Sequence, residues 1–484
     1  MDLLHSPIVW SIVAAVAVVV VIAIIRRHVR PEWGFRDLVK NPEHWGRVSE
    51  ARQKIDSAGR DANNWSDKKV ASFTKQFVLE ATTSGEAWVE SRILKKLDAR
   101  THPAVFALLR DPGLYAKLVK PTGKDFLPEA PFNRACDLLG DTPPPEAVEA
   151  LAPFLDDQSL EIRKDAALLI AKTGAPSITS HLRKAFADPE ERVRSYALIG
   201  LEFPLSRSGL AGEAAEALYP EVLALLEAGR NADDMAVDIL FLLDGERSKE
   251  YFLSESVFTA DSPILHQVLK TLANARIPVP RERLLKLVAA IEAKELEYPR
   301  TYALAEALRL LGQLRQDADR ELLRARTTHP DEEVAKGAAA GLLSSYGLEE
   351  FEQQIWEAEE RSGFESLSEH QRFYRAVSMC DGEINNGGLA QYFVNSSGDQ
   401  WREAVAGFQA MGFKERLRVL KEATALFGND GPATDRDRRQ EQLSRLYRRN
   451  DSIFDELDAR YFDSSEVVAV HCNQFVLANP ESFR

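Results

Sequence analysis

The chain has 484 residues, 45% apolar and 28% charged, which suits about three domains of ~150 residues and excludes a disordered chain, a collagen or a disulfide-stapled miniprotein. Sixty-one Lys and Arg stand against 75 Asp and Glu, a net charge of -14, so no direct contact with nucleic-acid phosphates is expected. Cys136, Cys380 and Cys472 are widely spaced, with no CxxC or Cys/His pattern, as suits reduced thiols rather than disulfides or a zinc site.

Residues 8–25 are free of charge, with Ser11 their only polar member; at a rise of 1.5 Å per residue a helix there is about 27 Å long, close to a bilayer core. They predict a single transmembrane helix. Asp2 and His5 precede the run, and Arg26, Arg27, His28 and Arg30 follow it, the reverse of a cleaved signal peptide. The positive-inside rule then places the remaining residues in the cytoplasm. The expected N-terminal anchor covers residues 1–30. Residues 31–67, broken by Pro31, Gly34, Pro42, Gly46 and Gly59, read as a juxtamembrane linker. Its Trp33, Trp45 and Trp65 either rest on headgroups or cap the next domain.

A repeat follows. Asp157, Ile162, Arg163 and Ala166 recur 31 residues on as Asp188, Val193, Arg194 and Ala197, and more loosely as Asp331, Val334 and Ala338. Each unit has an acidic residue able to cap a helix, then an apolar residue four positions before a small alanine on the inward face. These residues resemble the HEAT repeat, and the resemblance implies an α-solenoid, expected over residues 68–347. Less regular apolar helices fill its middle, with Pro204, Pro220, Pro263, Pro278, Pro280 and Pro299 read as turns between them. Solenoids offer extended binding faces. Arg163, Lys164, Arg192 and Arg194 are candidates for a basic ridge, or for an ordinary solvated face.

Residues 348–484 form the last expected domain. At its centre Asn385, Asn386, Gly387 and Gly388 allow a sharp turn. Leu389, Tyr392 and Phe393 then fall on one helical face, and Asp399 can cap the next helix. Helices are expected over 414–427, 438–448, 453–462 and 465–477, and no alternating run suggests a strand. Glu383 with Asn386-Gly387-Gly388, Gln391-Tyr392-Phe393, Asn395-Ser396-Ser397-Gly398, Leu457-Asp458, Tyr461-Phe462 and the closing Asn479-Pro480-Glu481-Ser482-Phe483 resemble a bacterial family of DNA-mimic-like proteins. That resemblance implies an all-helical domain, often a homodimer, whose acidic surface imitates duplex phosphates and occupies a DNA-binding protein. With it, the expected location becomes the bacterial inner membrane, single-pass.

Charge partly agrees. From Tyr346 onward there are 25 Asp and Glu against 16 Lys and Arg, so acidity concentrates at this end. Glu357, Glu359, Glu360, Glu365 and Glu369, with Asp451, Asp455, Glu456 and Asp458, are the candidate acidic patches. Arg436, Arg438, Arg439, Arg445, Arg448 and Arg449 form a basic cluster that a copy of evenly spaced phosphates would avoid. The candidate binding residues are Glu383, Asn386, Gly387, Gly388, Gln391, Tyr392, Asn395, Ser396, Asp399, Asp455, Glu456 and Asp458.

A hydrolase or metal-dependent enzyme would use Asp381, Glu383, Asn386, Asn395 and Asp399 as acid, base, orienting amides or oxygen ligands. The same residue types commonly bond to the backbone at helix ends. Asp430, Asp435 and Asp437 miss the EF-hand spacing, and GxxxxGK[ST], GxSxG and HExxH motifs are absent. His471 beside Cys472 reads as core. The expectation is therefore an all-α, membrane-anchored, cytoplasmic scaffold that binds a protein, basic or DNA-binding, without catalytic residues, metal or cofactor. A structural spacer is the remaining alternative.

Overall fold

The computed structural model describes residues 60, 62–80, 84–120, 130–207, 209–229 and 233–484. Among them every regular element is a helix and no strand occurs. The described chain falls into two compact units, one ending at Leu253 and one running from Ser254 to Arg484.

In the first unit Leu160–Lys172, Glu191–Arg207 and Asp233–Leu243 pack in one row, with Ile178–Phe186 and Gly212–Glu227 in a second. The row buries Ile162, Ala166, Val193 and Ala197, the apolar and small positions of the 31-residue repeat. The repeat also recurs as hydrogen bonds. Arg163 Nη1 donates to the carbonyls of Asp157 (2.9 Å) and Gln158 (3.1 Å), and Arg194 Nη1 to those of Asp188 (2.8 Å) and Pro189 (2.9 Å). Asp157 and Asp188 accept from the N–H two residues on, closing each turn. The expected basic ridge is thereby mostly consumed. Arg163 also pairs with Asp188, Lys164 with Glu161, and Arg194 is 6% exposed.

The second unit begins with another row, Leu265–Asn274, Arg300–Gln313 and Glu332–Ser345, backed by Arg281–Glu292 and Arg320–Arg326. Asp331 caps the last row helix through the N–H groups of Glu333 (3.0 Å) and Val334 (3.1 Å). By the spacing of Val334 and Ala338, the position of the repeat arginine is here the buried Ala335. A Cβ on Gly337 would stand 2.4 Å from the carbonyl oxygen of Ala305, and one on Gly341 2.4 Å from that of Leu308. The close backbone approach recurs from the first unit, where a Cβ on Gly200 would stand 2.4 Å from the carbonyl oxygen of Leu168, but the arginine does not, so this unit matches the repeat pattern only loosely.

Seven helices follow and share one core: α1 (Phe351–Ser362), α2 (Glu369–Val394), α3 (Trp401–Ala410), α4 (Glu415–Ala425), α5 (Arg436–Arg449), α6 (Asp455–Phe462) and α7 (Val468–Ala478). Their apolar stripes converge on Val377, Tyr392, Phe393, Phe408, Phe454 and Tyr461, all buried. On the last row helix, Ala335 and Ala339 pack against Val467 and Val470.

Two expectations change. Pro204 and Pro220 lie inside Glu191–Arg207 and Gly212–Glu227 rather than between helices; Pro220 sits on an exposed side, where water can satisfy the carbonyl that a proline frees. The Asn-Asn-Gly-Gly segment makes the expected sharp turn, as a kink at Gly387 and Gly388 inside α2. The expected N-terminal transmembrane helix, and with it the single-pass inner-membrane, cytoplasm-facing placement, is not upheld: no described helix is long and apolar enough to cross a membrane. The longest described helix, α2, has 26 residues and carries Glu369, Arg372, Arg375, Asp381 and Glu383. Residues 8–25, on which that expectation rested, lie outside the described ones, as do Trp33 and Trp45. Trp65 is described, buried, and packs edge-on to Phe73 of helix Asp67–Glu80 at 5.2 Å.

The glycine contacts make a direct prediction. Gly337→Ala should push its helix off Arg300–Gln313 and destabilise the protein by about 1–3 kcal/mol, the usual cost of overpacking, read as a lower urea midpoint; an unchanged midpoint would contradict the close approach.

Candidate functional site

The polar motif of α2 begins where the helix breaks. Gly388 has φ 77°, a left-handed conformation that glycine adopts without strain. A Cβ there would lie 2.6 Å from Asp458 Oδ2. Asp458 Oδ1 accepts the Leu389 N–H at 2.8 Å, so a carboxylate on α6 caps the restarted half of α2. Glu383, just before the break, gathers the segment beyond it: Oε2 accepts from Gln391 Nε2 and Asn395 Nδ2, both at 2.9 Å, and Oε1 from Ser397 Oγ at 3.4 Å.

Asp381 lies two residues earlier, on another face of the helix. It takes Arg416 Nη1 and Tyr461 OH, each at 2.9 Å, on Oδ1, and Asn385 Nδ2 at 3.0 Å on Oδ2. Asp399 takes Arg439 Nη2 at 2.6 Å. Arg439 is 0% exposed and spends every donor: Nε on Phe393 O (2.7 Å), Nη1 on Ala433 O (2.7 Å) and Thr434 O (3.1 Å), Nη2 on Asn395 O (2.8 Å) and Asp399. A buried guanidinium is tolerated only when its donors are matched in this way.

The candidate binding residues therefore separate. Glu383, Gln391 and Asn395 come together, Asp399 and Asp458 are tied to Arg439 and to the Leu389 N–H, and Gly387 and Gly388 form the kink. Tyr392 is core, its hydroxyl pushed well up by burial and then by the neighbouring Cys380 thiol. Asn386, Ser396, Asp455 and Glu456 are exposed and join no common site. Of the basic cluster, Arg439 is buried and Arg436 Nε donates to Val394 O at 3.1 Å; Arg438, Arg445, Arg448 and Arg449 are exposed.

The enzyme alternative gains little from this arrangement, since each of its carboxylates is engaged by the fold. Among the described residues no three His, Cys, Asp or Glu side chains are grouped to hold a metal ion. His471 stacks on Phe413 at 4.3 Å and its Nδ1 meets Met411 O at 3.0 Å. Burial pushes the Cys472 and Cys380 thiols well up, away from nucleophilic thiolates.

Several organising groups escaped the sequence reading. Arg439 is one, although its spacing of four from Leu443 and eight from Tyr447, both buried, puts it on the inward stripe. Glu466 is another. It caps α4, accepting the N–H groups of Lys414 (2.6 Å), Glu415 (3.3 Å) and Arg416 (3.0 Å). Burial acts to raise its pKa, but those three donors outweigh it and hold the carboxyl below the ordinary glutamate value. The third is a cleft of about 410 Å³ lined by Glu349, Glu350, Glu352, Trp356, Tyr374 and Arg375 among others; only the density of glutamates announced it.

Arg439→Met should cost about 3–5 kcal/mol, because Asp399 and four carbonyls lose a matched donor, and Glu383→Gln about 1–3 kcal/mol, because its amide presents a donor to donors; denaturant midpoints of the second unit's near-ultraviolet signal test both. The Glu466 cap stabilises above the ordinary glutamate pKa of 4.5 and is lost as pH falls through the lowered folded-state value. Acidification should thus destabilise the wild type more than Glu466→Gln, and equal losses would sink the capping role.

Residues 365–479 match the DMP19-like protein family and residues 133–202 match HEAT repeats. No curated protein and no solved structure matches the chain. The first match spans α2 to α7 with the whole bonded motif, and begins after the glutamate-rich α1. HEAT repeats joined to a DMP19-like domain are the parts of a helical protein-interaction scaffold.

Proposed function

We propose that the chain is a non-catalytic scaffold whose C-terminal helices engage a basic protein, a DNA-binding protein being one kind. The observation that carries this is the distribution of acid. Residues 349–369 hold eight glutamates and one arginine. Of these glutamates, Glu350, Glu352, Glu357, Glu360, Glu365 and Glu369 are exposed. The motif carboxylates, by contrast, are spent on the fold, as Asp381, Glu383 and Asp399 illustrate.

An exposed field of one sign steers a partner of the other sign and is weakened by salt. The motif's saturation also supports a non-enzymatic reading, since a general acid or base needs a face open to substrate. The exposed arginines of α5 argue for a local acidic face rather than a phosphate-like coat over the whole domain.

The test is capture of partners by the full chain, followed by stopped-flow association with the partner obtained. Replacing Glu357, Glu360, Glu365 and Glu369 by Gln should slow association by about tenfold or more at low salt and flatten its salt dependence. A captured set and rate that ignore both the substitutions and the salt would refute the proposal.

A further inference from the structure

The cleft between the start of α1 and the middle of α2 has more than charge. Its lining is Glu349, Glu350, Glu352, Gln353, Ile355 and Trp356 from one side and Tyr374, Arg375 and Ser378 from the other. Trp356 is 49% exposed, an unusual position for a large ring. Glu352 and Trp356 are four residues apart on α1, hence one above the other on the same helix face.

The charges at the cleft are unequally spent. Glu349 Oε1 pairs with Arg315 at 2.5 Å and Glu350 with Arg276 at 2.6 Å, while the cleft's own cation, Arg375, is held by Glu359 at 2.5 Å. Glu349 Oε2 is buried without a hydrogen-bond partner. Glu352 accepts only the neutral Tyr374 hydroxyl and has no cationic partner among the described residues. Burial, then the Glu352 charge, pushes that phenol up, so it remains a donor. The result is a carboxylate short of positive charge, one helical turn from an exposed indole face, in a cavity at the small end of ligand pockets, ~300–1,000 Å³.

We infer that this cleft receives an arginine side chain of the partner protein. Guanidinium is the group that both features suit, because it can fork a carboxylate with parallel N–H bonds and lie flat on an indole, whereas an ammonium gains less from a flat face. Glu352 takes the fork and Trp356 the stacking. The inference rests on the acidic-surface reading above but adds a specific preference, arginine over lysine, that a diffuse acidic field does not supply.

The experiment uses the full chain and two peptides of equal charge, alternating glycine with arginine or glycine with lysine, with binding followed by anisotropy at fixed ionic strength. The arginine peptide should bind more tightly. Trp356→Ala should weaken it about two- to fivefold, the scale of an exposed cation–π contact, leave the lysine peptide little changed, and so erase the preference; Trp356→Phe should restore part of it. Glu352→Gln, which keeps an oxygen for Tyr374, should weaken both. Circular dichroism checks that each variant is folded. Equal binding of the two peptides by the wild type, or a preference that survives Trp356→Ala, overturns the arginine cleft and leaves the acidic-surface reading standing. Binding of neither peptide by folded wild-type protein overturns both.

Discussion

The C-terminal helices depend on the burial of one guanidinium. Arg439 ties the end of α2, through Phe393 and Asn395, to the turn that leads into α5, through Ala433 and Thr434, and to Asp399 between α2 and α3. Desolvating that charge is expensive, and its attraction to Asp399 offsets the cost only because the remaining donors also find oxygens. Glu383 and Asp458 perform the complementary task with negative charge, collecting donors on either side of the Gly387-Gly388 kink. Asp381, Glu383, Asp399 and Asp458 are each matched to particular partners, so few other residue types would serve. A motif can therefore be highly specific while its carboxylates are spent on the fold.

That is why the fold was legible in the sequence and the site was not. Helix spacing is a local property, and the apolar stripes anticipated α3 to α7 within a few residues at most ends. The repeat was legible for the same reason: Asp157 with Arg163 and Asp188 with Arg194 form their bonds within six residues. The partner of the Leu389 N–H lies 69 residues away and that of Glu383 Oε2 lies 8 and 12 away across a kink. No pattern of spacing distinguishes an aspartate that caps a distant helix from one that meets a ligand, since both need a short acceptor on a polar stretch. Asp458 and Asp399 were read as docking residues on that account. Pro220 erred oppositely: a residue that usually ends helices is tolerated on an exposed face of one.

The proposed docking of a basic protein rests on the charges that remain after internal pairing. In the first unit's repeats, Arg163 and Arg194 are turned inward to carbonyls and acids, and Arg192, though exposed, pairs with Glu161. In the second unit Arg276 and Arg315, on the repeat turns, reach Glu350 and Glu349 just before α1. These two pairs fix the entry of α1 to the repeat, and Arg375 takes Glu359, which leaves Glu352, Glu357 and Glu360 without a cationic partner among the described residues. Exposed pairs of this kind add little stability, so their main effect is geometric. They hold the glutamate-rich face in a set orientation beside α2, and a preorganised charged face loses less entropy on association than one that must be ordered by its partner. Under the proposed function, the repeats of the second unit would serve recognition by presenting α1, and the bonded DMP19-like framework by giving α1 a rigid neighbour.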